Sequence, residues 1–559
     1  MVSLLRVAGV VTCVATIASP LSAQRTASAA YAITNARLVP VSSPVIEQGT
    51  VVIRGGLIVA VGATVAVPAD ARVIDGTGLT IYPGLIDGFG TLGLPTATPA
   101  AAGAGGPGGG GGRGGGGAAA PRAPNSTQAV GLQPELAVVN ELGPDATAFT
   151  APHAAGFTTA FTSIGGGVFR GQSAVINLDG TDVSAMIVKS GMTQQLAFSR
   201  GGGGGGFPGS LFGVFAAIRQ ELLDAQRYRD LTAAYARNPK GMVRPAYDPS
   251  MVALQPVLAR QQPMVMLANT QREIERALDL AKEFNLRAII AGGSEAWKVA
   301  GRLKAENVPV LLTVNFPRRT TAPAADADPD PLRVLRERVE APKGPAVLQA
   351  AGVTYAFTSG GAFPEFLANV RRALGGGLTT EQALKAMTTT PAQLFGIADR
   401  VGALEAGRIA NLTITKGDLF VAGSTVQQLF IDGEPITIPV TAPTAGGGGA
   451  GGGRGGRPGT LDGQWTARIA FDGAEREVTL TLTQDGAQLG GALEGSFGSA
   501  VLEEGSIAAD GSFRFAAWLM HHDGLERAQF RGMRQGDALV GEVAVQGHGT
   551  SRFTGSQER

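Results

Sequence analysis

Histidine is the side chain that metal and acid–base chemistry most often needs, and this 559-residue chain has four: His153, His521, His522 and His548. A catalytic zinc takes about three protein ligands, mostly imidazole or carboxylate. His153 stands alone in the middle of the chain, and the others fall near its C-terminal end. His521-His522-Asp523 has the composition of a metal cluster. Neighbours along a strand face opposite sides, however, so solvated turn residues are the plainer reading. His153 precedes Ala154-Ala155-Gly156 at a helix-to-strand turn and reads as a surface or C-cap histidine. Asp87 ends a short apolar run. It reads as a hydrogen-bonded strand-end carboxylate, since no metal-binding partners follow it. An all-carboxylate magnesium or calcium site finds no Asp/Glu cluster at strand ends to support it. Gly103 to Gly117 is no phosphate loop, because it lacks the Lys-Ser/Thr and the strand–turn–helix context.

The elements that would position these residues fall into regions of different period. Residues 31–83 read as short strands, with Thr50-Val51-Val52-Ile53 and Leu57-Ile58-Val59-Ala60-Val61 forming a hairpin across Arg54-Gly55-Gly56. Further on, Thr270 with Glu273 three residues later is a capping box. Ile274, Ala277, Leu278, Ala281 and Phe284 then share a helix face. Strands at 287–291, 308–312 and 351–358 alternate with helices near 295–306 and from 379. That is the rhythm of right-handed βαβ units, over a length that suits an eight-stranded (β/α)8 barrel. Residues 404–436 return to strands. Beyond a Gly/Arg linker, strands recur every 8–12 residues with Gly turns, as in a small antiparallel barrel or sandwich. Gly463-Gln464-Trp465 opens that module, and Trp465 reads as core.

Composition excludes some partners. Charged residues make up 16% of the chain, net charge is +1, and no basic tract appears, so nucleic acid is not an expected partner. Arg6, the apolar run from Val7 to Ile17 and the small residues ending at Ala23 read as a signal peptide cleaved after Ala23. An uncleaved anchor is the alternative. After cleavage no transmembrane helix remains. The single cysteine, Cys13, lies inside the signal, so the mature chain is expected in the periplasm or outside the cell with no disulfide.

Four segments resemble the amidohydrolase superfamily, specifically its imidazolonepropionase-like branch. They are Pro83-Gly84-Leu85-Ile86-Asp87; Ala155-Gly156-Phe157-Thr158-Thr159 with Phe169-Arg170-Gly171-Gln172-Ser173-Ala174; Glu295-Ala296-Trp297-Lys298-Val299-Ala300; and Pro391-Ala392 with the run Gly402 to Leu412. The resemblance implies a TIM-type barrel carried on a small β-sandwich built from both ends of the hydrolase region. It also implies one or two divalent metals, usually zinc, that activate water against an amide or related bond. In the family a His-x-His follows the first motif. Here Gly88-Phe89-Gly90-Thr91 stands in its place, and Gly88, Gly90, Leu267 and Gly360 read as vacated ligand positions. Asn269 and Ser359 read either as contacts lining the old pocket or as caps of nearby backbone.

The expected organisation follows from these readings. It comprises a signal peptide at 1–23, a composite sandwich from 31–83 and 404–440, and a barrel over 84–403 with Gly-rich insertions at 99–120 and 200–207. A linker at 441–459 and an all-β domain at 460–559 complete it. The leading functional expectation is a catalytically degenerate family member of the cell envelope. It would bind a small-molecule ligand or partner an active homologous amidohydrolase subunit, as a homo- or hetero-oligomer. No metal, cofactor or catalytic residue is expected. The alternatives are a hydrolase acting on carbon–nitrogen bonds through a non-standard site, and a binding role carried by the C-terminal module.

Overall fold

The computed structural model describes residues 30–95, 126, 128–198, 208–318, 330–436, 438 and 461–557, less 144, 180–181, 422, 462 and the short turns of the last segment. The expected signal peptide, both Gly-rich insertions, the 441–459 linker, His522, Asp523 and His548 lie outside the described residues. The chain falls into two compact units, Met1–Ile438 and Pro439–Arg559. Among the described residues no helix is long and apolar enough to cross a membrane.

The first unit begins with β1 (Tyr31–Leu38), β2 (Ile46–Arg54), β3 (Leu57–Gly62), β4 (Arg72–Asp75) and β5 (Leu79–Pro83). β2 and β3 pair through Arg54 and Leu57 across Gly55-Gly56, the expected two-residue hairpin. A second sheet follows: β6 (Leu85–Gly90), β7 (Phe157–Thr162), β8 (Phe169–Asn177), β9 (Ile187–Ala197), β10 (Met264–Ala268), β11 (Ala288–Gly292), β12 (Val310–Thr313) and β13 (Tyr355–Thr358). The chain then returns to the first sheet as β14 (Leu412–Lys416), β15 (Thr425–Ile431) and β16 (Glu434–Ile436). Both ends of the region thus build one sheet, with β14 pairing β5, rather than two separately paired layers.

The second sheet keeps chain order from β6 to β13. Its strands are not all parallel, and here the barrel expectation needs correction. β7 pairs β8 antiparallel and β8 pairs β9 antiparallel, whereas β9 to β13 run parallel. The reason is the length of the connections. Only 163–168 separates β7 from β8, and 178–186 separates β8 from β9. A parallel crossover needs about a dozen residues or more. From β9 onward the links carry helices such as Leu211–Arg237 and Gln271–Glu283. Thr270 and Glu273 make the expected reciprocal capping box, and Ile274, Ala277, Leu278 and Ala281 are buried on the expected face.

A buried cluster takes one side chain from each of the eight strands: Ile86, Phe161, Val175, Val188, Val265, Ile289, Leu311 and Ala356. Alternate residues such as Leu85, Ala160, Met266, Ile290 and Phe357 join the helices in a different core. The sheet therefore has an inner and an outer face, as the period of two requires.

A polar network ties the first sheet to the second. Asn411 Nδ2 donates to Asn177 Oδ1 at 2.8 Å and to Thr159 Oγ1 at 3.0 Å. Its Oδ1 accepts from Asp432 N–H at 2.9 Å, and Asn177 Nδ2 donates to Asp432 Oδ2 at 2.8 Å. Asp432 is largely buried, which pushes its carboxyl up, while the bond from Asn177 opposes that shift.

The second unit contains β17 (Gly463–Phe471), β18 (Ala474–Asp485), β19 (Gln488–Gly495), β20 (Gly498–Val501), β21 (Glu503–Ile507), β22 (Ser512–His521), β23 (Gly524–Gln535), β24 (Ala538–Val545) and β25 (Gly549–Gln557). β18 pairs both β17 and β19, so the antiparallel path from β17 through β25 and back to β19 closes into a barrel. Trp465 is fully buried and donates from Nε1 to Leu461 O at 3.0 Å. Phe513, Phe515, Phe530 and Phe553 pack with it in one core.

Replacing Asn411 with Ala leaves Asn177 Oδ1 and Asp432 N–H without that partner in a buried setting. Chemical denaturation of Asn411→Ala should show a loss of about 1–3 kcal/mol.

Candidate active-site region

β6 and β13 are the ends of the second sheet, and the first sequence motif brings them together. Asp87 is 1% exposed. Its Oδ1 accepts the backbone N–H of Ser359 at 2.9 Å, and its Oδ2 accepts from Ser359 Oγ at 2.7 Å. Thr358 Oγ1 donates to Phe89 O at 2.6 Å. Burial pushes the Asp87 carboxyl above the usual carboxylate range, and the bonds from Ser359 oppose the shift. The strand-end reading of Asp87 matches this geometry, with Ser359 as its hydrogen-bond partner.

Gly88 lies where the two strands touch. A Cβ on it would stand 2.7 Å from Phe357 O, so no side chain fits between the strands. Gly88 is therefore not the emptied ligand position expected from sequence. The pairing of β6 is irregular between Asp87 and Gly90, and Phe89 joins the inner cluster instead. Phe89 stacks on Phe161 at 6.1 Å, and Phe161 stacks on Phe395 at 4.4 Å. Leu267 belongs to the same cluster. Gly360 has φ +60, and a Cβ there would meet Thr313 Cγ2 at 2.6 Å. A left-handed backbone in a crowded place favours glycine over an acidic residue.

The structure does not bring the other sequence candidates to one point. Asn269 follows β10, is exposed, and receives Ser294 Oγ at 3.4 Å, while its N–H bonds Glu273 Oε2 at 2.8 Å. The cap of the helix that follows is Thr270, and the Asn269 side chain meets Ser294 rather than backbone. His153 is 5% exposed and shares a 2.7 Å hydrogen bond between Nε2 and Leu178 O. Of the two readings from sequence, surface or C-cap, the surface one does not hold, while its position in the last turn of a helix does. Its short helix, Thr150–Ala154, packs it beside Phe149, and burial pushes its pKa down.

Sequence reasoning also missed a buried acid. Glu221 lies on the inner side of the helix Leu211–Arg237, is 5% exposed, and has one carboxyl oxygen with no hydrogen-bond partner. Burial, with Asp248, Asp224 and Glu135 nearby, raises its pKa to about 8. Its helical spacing with Val214, Ala217 and Ile218 was the available signal.

Comparison with known proteins agrees with the fold. The amidohydrolase family profile matches residues 332–436. The match covers the last part of the first unit. An amidohydrolase from Thermotoga maritima MSB8 superposes with a TM-score of 0.58 at 23% identity, covering 73% of this chain and 99% of that one. A β-aspartyl dipeptidase from Fervidobacterium islandicum AW-1, solved with β-Asp-Leu, gives 0.36 at 13% identity over 73% and 96%. An adenosine deaminase from Xanthomonas campestris, solved with bound zinc, gives 0.34 at 15% over 72% and 92%. Of these three, the first carries the fold likeness. No curated protein matches the sequence.

The amidohydrolase match corrects the expectation that no cofactor is involved, because that family is typically metal-dependent. The side chains around Asp87 do not fit such an ion. Both oxygens of Asp87 are engaged by Ser359, and phenyl groups occupy the inner face beside it. Among the described residues no group of three or more His, Cys, Asp or Glu side chains could hold a metal ion.

Two measurements test these contacts. Phe161 is fully buried at the centre of the stack, so Phe161→Ala should cost about 3–5 kcal/mol in chemical denaturation. Glu221 ionises near pH 4.5 when unfolded and near 8 when folded, so the unfolded state binds fewer protons between those values. Stability should therefore fall by several kcal/mol as pH rises from about 4.5 to 8, with a slope of up to about 1.4 kcal/mol for each step of one in pH. Glu221→Gln should flatten that part of the profile, read as the difference from the unsubstituted protein.

Proposed function

We propose that this chain keeps the amidohydrolase fold as a binding scaffold of the cell envelope and has lost the hydrolytic chemistry. It would act on its own ligand or beside an active homologue. The observation that carries this reading is the Phe89–Phe161–Phe395 stack, which fills the inner face next to Asp87. A hydrolase needs room there for water and substrate to meet at a polarising group. The placement in the imidazolonepropionase-like branch rests on the four sequence motifs. The envelope location rests on the N-terminal segment, which lies outside the described residues.

A second reading is a hydrolase of carbon–nitrogen bonds working through a different set of side chains. The amidohydrolase match at 332–436 favours it. The two readings separate in a turnover assay of purified protein with excess zinc, using β-aspartyl dipeptides, prolyl dipeptides and cyclic imides. The binding-scaffold reading expects no hydrolysis above the protein-free rate. Hydrolysis that scales with protein concentration, and survives purification to constant specific activity, would sink it.

A further inference from the structure

At the N-terminal ends of β11, β12 and β13 lies a cavity of about 410 Å³. It sits at the opposite strand ends from Ser359 and Gly360, so it is independent of the function proposed above. Its lining includes the apolar side chains of Leu303 and Leu394 and the cations Arg260, Arg287 and Lys304.

Each of the three cations is held by amide carbonyl oxygens rather than by a carboxylate. Arg260 Nη1 donates to Asn285 O at 2.9 Å and to Asn285 Oδ1 at 2.8 Å. Arg287 Nη1 donates to Arg260 O at 3.3 Å and to Gln261 O at 3.4 Å. Lys304 Nζ donates to Gly352 O at 3.0 Å. The acid in the lining, Glu306, is paired to Arg302 at 2.7 Å. Three positive charges therefore share one concavity, and none of them forms an ion pair among the described residues. Carbonyl partners orient these side chains without cancelling their charge. Each guanidinium retains further N–H donors in a fork suited to an oxyanion.

The competing explanation is structural. Helices end on this side of the sheet, and cations near helix C-termini offset the partial negative charge there. That charge is about half a unit per helix. Gln271–Glu283, Ala300–Ala305 and Gly344–Ala350 all end close to these residues in sequence. Helix ends account for the cations singly, but not for their convergence on a cavity whose lining acid is already paired.

We propose that this cavity binds a compact oxyanion of charge −2 or −3, of the phosphate or pyrophosphate class, with Arg260, Arg287 and Lys304 as its ligands.

Isothermal titration of the full-length protein with pyrophosphate, inorganic phosphate and citrate at matched ionic strength tests this. Saturable binding of one phosphate or pyrophosphate per chain is expected, weakened about ten-fold by Arg287→Gln and by Lys304→Gln. Lys304 sits on an exposed helix end, so its variant carries the test if Arg287→Gln fails to fold. Three results would overturn the proposal: no saturable binding to the unsubstituted protein, equal affinity in the folded variants, or binding of citrate alone. Lowered thermal stability of the variants without any anion binding would assign the cations to the helix ends only.

Discussion

A strand ring made from one end of a sheet to the other needs its two edges to meet, and here one carboxylate performs the join. Asp87 on β6 takes both the N–H and the hydroxyl of Ser359, just past β13. An isolated buried carboxylate is costly, and a half-satisfied one is only slightly better. With both oxygens engaged the group is tolerated, and in return its partner's buried N–H is satisfied. Gly88 allows the approach, because a side chain there would strike the carbonyl of Phe357. The same contact that closes the fold therefore removes Asp87 and Gly88 from any chemistry inside it.

Once the edges meet, the inner face must be filled. An empty apolar space forfeits dispersion contacts. The irregular pairing after Asp87 turns Phe89 inward onto Phe161, and Phe395 completes the stack from the far side of Phe161. Filling and closure support each other: the stack spans β6 and β7 and the segment after the helix Thr389–Leu394, all of which must be in place for it to form. The Asn411 network does similar work outside the ring, holding β14 to β7 and β8 through four polar groups that satisfy one another.

The parts legible in sequence were those fixed by local rules. A Gly-Gly turn between β-branched runs, a Thr-x-x-Glu start and an apolar face of period 3.6 each state their own conformation. The return of 404–436 to the first sheet was legible only through the family resemblance, since nothing local says which strand β14 will pair. What could not be read depended on neighbours distant in the chain. The reversal of β8 follows from two short connections, yet apolar strands look alike in either direction. The family motif marked Gly88 and Gly90 as vacated ligand positions, but β6 is irregular after Asp87 and it is Phe89 that joins the inner cluster. His153 read as a surface or C-cap residue and Glu221 was not singled out, because burial is decided by what packs on top of them.

Asp87 and Glu221 show how the same physical effect can have two outcomes. Both carboxyls are buried and both are pushed toward the neutral form by loss of water. Asp87 has two donors from one residue, which favour its charge and oppose desolvation. Glu221 has acids as neighbours and one oxygen without a partner, so desolvation and like charge act together. At Asp87 the bonds from Ser359 favour the carboxylate that burial opposes. Glu221 is compatible with the fold mainly as the protonated acid, so the buried side of the helix Leu211–Arg237 carries a group that raising the pH will charge. The strand-edge join and the buried helix face should thus respond differently to pH, although the two carboxyl groups are chemically alike.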